Sequence, residues 1–122
     1  GLDPEARARM WAEIEDVVAA WSQPAAWAGT ASLGRSAELP ASMVGAMALG
    51  ELVVHGWDLA RAIGQTPGWD DDVVAFLLEE VRKTADQGRA MGAYGPEVPV
   101  PPTASALDRL LGLTGRDPGW PR

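Results

Sequence analysis

The sequence predicts a mainly α-helical fold, a bundle of helices interrupted by a proline-rich extended loop and a short hairpin. Three observations predict it. Apolar residues recur at three- and four-residue steps through several segments. Ala, Leu, Glu and Arg, all good helix formers, are abundant. Glycine and proline punctuate the stretches where that period is lost. A chain of 122 residues, 47% of them apolar, is long enough for one domain with a modest core.

The first helix is expected from about Pro4 to Ser22. Asp3 serves as N-cap, Pro4 as first helical residue and Glu5 as first-turn acid. Met10, Trp11, Ile14, Val17, Val18 and Trp21 supply the apolar period, and Pro24 ends it. Residues 25–40 lose the period. Gly29, Gly34 and Pro40 mark a loop there, with a hairpin around Leu33-Gly34-Arg35. A second helix should run from Ala41 or Ser42 to Ile63, with Ser42 as cap and Gly64 as stop. The third begins at Asp70-Asp71-Asp72 and runs through Val74, Leu77, Leu78 and Val81 to about Arg89. Residues 92–102, with Val98-Pro99-Val100-Pro101-Pro102, read as extended backbone of polyproline character. Thr103 caps a short last helix through Leu107, Leu110 and Leu111, stopped by Gly115, and the tail from Arg116 is loose or docked on the surface.

Composition excludes several function classes. The formal charge of −7 argues against nucleic acid, which needs clustered Lys and Arg, and against an anionic membrane surface. The absence of cysteine excludes disulfides, thiolate metal sites and cysteine nucleophiles within this chain. No apolar run is long enough to span a bilayer and no secretory signal is visible, so a cytoplasmic location is the default. The opening Gly1-Leu2-Asp3-Pro4 lacks a methionine, so it is not read as a translation start: either a tag was cleaved or an upstream segment is missing. Bulky packing falls to six tryptophans and the aliphatic residues, since there is one Phe and one Tyr.

The second helix carries the chemistry. At 100° per residue, Asp58, Glu51 and His55 fall within a stripe about 60° wide. Leu52 and Leu59 flank it on one side, Met47 and Val54 on the other. A helix apolar around most of its girth is expected to be buried, and buried ionisable groups need partners. A metal ion would satisfy them: Glu51 and His55 stand one turn apart, and carboxylate oxygen and imidazole nitrogen can converge on one cation. Such donors suit zinc, nickel or iron, with zinc or nickel foremost. His55 is the only histidine, so a third ligand must be another carboxylate, a water or a group outside this chain. The plainer alternative is a Glu–His hydrogen bond or weak ion pair. Asp58 is expected to pair with Arg61, with a role as third ligand the alternative. Trp57 points into packing, and Tyr94 is a candidate for the mouth of the site.

The stretch Glu51-Leu52-Val53-Val54-His55-Gly56-Trp57-Asp58-Leu59-Ala60-Arg61-Ala62 resembles the signature helix of an actinobacterial metal-binding family within the DinB/YfiT-like superfamily. It is similar to the N-terminal domain of mycothiol-dependent maleylpyruvate isomerases. Tyr94-Gly95-Pro96-Glu97-Val98-Pro99-Val100-Pro101 resembles that family's extended loop. Leu107-Asp108-Arg109-Leu110-Leu111 with Gly115-Arg116-Asp117-Pro118 resembles its closing helix and terminus. The resemblance covers most of the chain after about Trp27. It implies a DinB-like four-helix bundle with a divalent metal in its interior, held by an earlier histidine and by a Glu-x-x-x-His pair that Glu51 and His55 match. The earlier histidine has no counterpart here, so the chain reads as the C-terminal portion of such a bundle, lacking its N-terminal helices.

The function implied is thiol-dependent chemistry on small electrophiles, as a transferase or isomerase, with mycothiol as cosubstrate. Two rivals stand beside it: a non-catalytic metal-binding module, and a helical interaction or oligomerisation domain, as a homodimer or swapped assembly. Other chemistries lack their motifs. No glycine loop cradles phosphate, no serine sits in a nucleophile elbow, and Asp70–Asp72 lacks the spacing of a calcium loop.

Overall fold

The computed structural model describes residues 1, 3–32, 34 and 38–120. Among them lie four α-helices, a 3-10 turn and two strands, so the mainly helical expectation holds. In order these are α1 (Pro4–Trp21), a 3-10 helix (Pro24–Trp27), β1 (Thr30–Ser32), β2 (Glu38–Pro40), α2 (Ala41–Ala62), α3 (Asp71–Ala90) and α4 (Ala106–Leu113). The chain divides into two compact units, Gly1–Gly45 and Ala46–Arg122. No helix among the described residues is long and apolar enough to cross a membrane.

In the first unit, the Asp3 carboxylate accepts from the Ala6 amide at 2.9 Å, capping α1 ahead of Pro4. None of α1's residues is buried, and Trp11, Val17 and Val18 are among those exposed. Trp27 Nε1 donates to the Trp21 carbonyl at 2.9 Å, and the two indoles meet edge to face with centroids 5.1 Å apart. They press on the start of α2 at Gly45, where a Cβ would lie 2.6 Å from Trp27 and 2.7 Å from Trp21. β1 and β2 pair antiparallel, Ala31 opposite Leu39, giving the hairpin expected around Gly34. The flanking Leu33 and Arg35 lie outside the described residues.

The second unit holds the core. One face of α3 buries Val74, Leu77, Leu78, Val81 and Ala85 against Val53 of α2 and Leu110 of α4. The 3.6-residue period puts those five side chains on one side, and the charged residues Glu79, Arg82, Lys83 and Asp86 on the other. Leu77, Leu110 and Leu111 are fully buried.

Two caps differ from expectation. α2 begins at Ala41, directly after β2, so Ser42 falls inside its first turn. Ser105 rather than Thr103 caps α4, its hydroxyl accepting from the Asp108 amide at 3.0 Å. An N-cap oxygen accepts from the amide two or three residues further on, and Ser105, directly before the first residue of α4, stands three before Asp108.

The segment between α3 and α4 is fixed by α4. The Val98 amide donates to the Gly112 carbonyl at 3.0 Å. Gly112 has no room for a side chain, since a Cβ would sit 2.6 Å from both the Val98 oxygen and Val100 Cγ2. Arg89 ties the same region together, donating to the Leu113 carbonyl at 2.8 Å and lying 3.6 Å from Glu97.

Candidate functional site

The middle of α2 has two unlike faces. Val53, Val54 and Trp57 are buried, while Glu51, His55, Leu52 and Leu59 face outward. Residues 53 and 57 are one turn apart, and residues 51, 52, 55 and 59 fall on the opposite side of the helix. α3 and α4 cover the first face, through the core around Val53. The expectation of a helix buried on most sides, with its ionisable stripe inside, is therefore corrected. The Glu51 and His55 side chains are 71% and 61% exposed, and Leu52 beside them is 70% exposed.

The two side chains nonetheless meet. Glu51 Oε2 lies 3.1 Å from His55 Nε2. On the other edge of the ring, His55 Nδ1 lies 3.0 Å from Asp58 Oδ2. The imidazole thus stands between two carboxylates, one turn behind it and one turn ahead, each on its own nitrogen. That division places Asp58 on the ring edge away from Glu51, which removes it as a third donor beside Glu51 and Nε2. Among the described residues no group of three His, Cys, Asp or Glu is arranged to hold a metal ion.

Asp58 does not pair with Arg61 in the way its spacing predicts. Arg116 takes its carboxylate instead, donating from Nη2 to Oδ2 at 3.0 Å and from Nε to Oδ1 at 3.3 Å. Arg61 Nε turns to the Trp120 carbonyl at 2.8 Å. A third guanidinium N–H of Arg116, on Nη1, donates to the Thr114 carbonyl at 2.9 Å. Thr114 is buried, its hydroxyl bonded to carbonyls of the last turn of α4. The Arg116 clamp holds the Asp58 carboxyl below its ordinary value of 3.8, against the opposing effect of burial, with the His55 hydrogen bond adding to the lowering.

The backbone that delivers Arg116 depends on Gly115. Its φ of 85° is left-handed and ends α4 with a reversal. A Cβ there would lie 3.0 Å from the Gly95 backbone. After the turn the tail docks on α2: the Trp57 and Trp120 rings lie 6.2 Å apart, and an open pocket of about 340 Å³ forms between Trp57, Asp58, Arg116, Asp117 and Trp120.

Tyr94 belongs to the same neighbourhood. Burial raises its phenol above the ordinary value of 10.0; the Glu51 carboxylate raises it further and Arg116 opposes. Its ring rests on Gly88 of α3, where a Cβ would be 2.6 Å from the ring carbon Cδ2.

Sequence reasoning missed Arg116 as a site residue. Its partner lies 58 positions away, and no helical period links them. The turn signal at Gly115 was the only local sign that the chain reverses there. Comparison with protein-family models, curated proteins and solved structures gives no match.

Proposed function

We propose that this chain is a divalent-metal-binding protein in which one face of α2 supplies Glu51 and His55 as two ligands, the remaining donors arriving with a surface laid over that face. The observation that carries this is the 3.1 Å approach of Glu51 Oε2 to His55 Nε2 while Nδ1 is already engaged by Asp58. Were Nδ1–H given to Asp58, the neutral ring would turn a lone pair toward the Glu51 carboxylate. Two acceptors at that separation call for a cation between them. A proton provides one answer and a divalent metal another, with carboxylate and imidazole bonds of about 2.0–2.2 Å for zinc.

The donor set fits zinc or nickel in kind and falls short in number. Two ligands one helical turn apart bind weakly alone, because an open ion still requires two or more further donors. The exposed Leu52, Leu59 and Met47 surround the pair on the same helix, with Ile63 exposed just beyond its end. An opposing helix that covered those side chains would exclude water from the site and strengthen its electrostatics. The DinB-like bundle implied by the resemblance provides such a cover. A divalent ion there would lower the pKa of a bound thiol such as mycothiol and keep a nucleophile available at neutral pH. In that scheme Glu51 and His55 hold the ion, Asp58 and Arg116 hold His55, and Tyr94 stands near Glu51 at the edge of the site. A transferase or isomerase acting on small electrophiles follows from the same resemblance.

The test is zinc and nickel binding to the chelator-treated protein, measured by equilibrium dialysis. His55→Ala and Glu51→Gln should each weaken binding by about tenfold or more, a loss of about 1.4 kcal/mol. Affinity equal in all three proteins would sink the proposal. Metal-dependent consumption of mycothiol with a small electrophile would add the catalytic role.

The exposed aliphatic side chains favour a second reading, a helical interaction domain. It predicts self-association that persists in Glu51→Ala and His55→Ala and disappears when Leu52 and Leu59 are made charged.

A further inference from the structure

The geometry points to Asp58, clamped by Arg116, as the positioning residue that fixes His55 in its Nδ1–H tautomer and reserves Nε2 for a ligand. This rests on the proposed metal site only for the identity of that ligand; the tautomer stands without it.

Both ring nitrogens face a carboxylate at nearly the same distance, 3.0 Å to Asp58 and 3.1 Å to Glu51. What separates them is how firmly each carboxylate is held. Asp58 has a short side chain and two hydrogen bonds from one guanidinium, at 3.0 and 3.3 Å. That guanidinium is itself fixed at 2.9 Å to the carbonyl of Thr114, a fully buried residue at the end of α4. A hydrogen bond to Asp58 therefore costs little further side-chain freedom. Glu51 is longer and 71% exposed, and among the described residues its carboxylate has no second hydrogen bond, so ordering it against Nε2 costs rotamer entropy. Arg116 draws some basicity from Asp58, but the bond remains charge-assisted and pre-aligned.

The consequence is an orientation. Histidine ligands commonly give their other ring N–H to a carboxylate or carbonyl, which sets the tautomer and the direction of the lone pair. Here the chain running Thr114, Arg116, Asp58, His55 carries that role from the end of α4 to the exposed face of α2. Nε2 is aimed at the position that Glu51 can also reach.

His55 is the only histidine of the chain, so its ring gives a single pattern in a long-range ¹H–¹⁵N correlation spectrum. The spectrum would be recorded on the uniformly ¹⁵N-labelled, metal-free 122-residue chain at alkaline pH. The wild type should show a protonated Nδ1 and a lone-pair Nε2. Asp58→Ala should move the ring toward the Nε2–H form that free histidine favours, and Arg116→Gln should shift it part of the way. A metal-free wild-type ring in the Nε2–H form overturns the inference, as does a pattern unchanged in Asp58→Ala. If Asp58→Ala fails to fold, judged by its amide dispersion, the wild-type tautomer decides alone. Zinc added to the same sample separates the two claims. A Nδ1–H ring that zinc leaves untouched keeps the positioning role and removes the metal site. A ring that starts as Nε2–H and still takes up zinc keeps the metal site and removes the positioning role.

Discussion

Arg116 Nη2 lies 3.0 Å from Asp58 Oδ2, joining the end of the chain to the middle of α2. The same carboxylate oxygen faces His55 Nδ1 at 3.0 Å. One ion pair thus fixes both the docking of the tail and the orientation of the only histidine.

That ion pair makes stability depend on acid. The Arg116 hydrogen bond leads the effects that lower the Asp58 carboxyl below 3.8 in the folded protein. A depressed carboxyl contributes stability that is present above its ordinary value and lost as pH falls through the lowered folded value. Resistance of the wild type to urea should therefore fall as pH drops below about 3.8. Asp58→Asn should be less stable than wild type at neutral pH, and the difference should shrink in acid. A difference that stays constant from neutral pH into acid would show that the charge on Asp58 is not what Arg116 holds.

Tyr94 reports on Glu51. As the only tyrosine of the chain, its phenolate absorbance gives one titration curve. Burial, then the Glu51 carboxylate, raises it above 10.0. Spectrophotometric titration should place the wild-type midpoint above that value, and Glu51→Gln should bring it down without abolishing the rise due to burial. The sign for stability is opposite to that of Asp58: a raised phenol contributes stability below its ordinary value that is lost as pH rises through the folded one. An identical midpoint in Glu51→Gln would mean that the two groups are not neighbours.

Gly88 should resist the usual improvement. Replacing an interior helix glycine with alanine ordinarily stabilises by about 1 kcal/mol. At Gly88 the new Cβ would sit 2.6 and 2.7 Å from Tyr94 ring carbons. Overpacking of that kind costs about 1–3 kcal/mol, so Gly88→Ala should lower the denaturation midpoint. The paired variant Tyr94→Ala with Gly88→Ala should recover the helix gain. A Gly88→Ala protein more stable than wild type on its own would mean that Tyr94 does not rest on α3.

Much of the fold was legible in the sequence because its signals are local. The Asp3-Pro4-Glu5 start of α1, the acidic start of α3 and the Gly115 stop each act within one turn of the residues they govern. The apolar period of Val74, Leu77, Leu78 and Val81 marks the buried face of α3 without reference to its partners. Cap choice at α4 was less legible, because Thr103 and Ser105 are both good caps and only the backbone path selects between them.

For the site, sequence by itself determined that Glu51 and His55 share a helix face one turn apart, since helical geometry leaves no alternative once α2 forms. Tertiary structure alone decided which face of α2 the core would cover and which cation would claim Asp58. The apolar pattern runs around most of α2, so periodicity does not rank its sides; packing of α3 and α4 on Val53 and of the Trp120 ring on Trp57 does. Arg61 is the closer partner for Asp58 in sequence, but the reversal at Gly115 brings Arg116 onto it from 58 residues away. Spacing along a helix fixes which groups can meet, and contacts between distant segments fix which of them do.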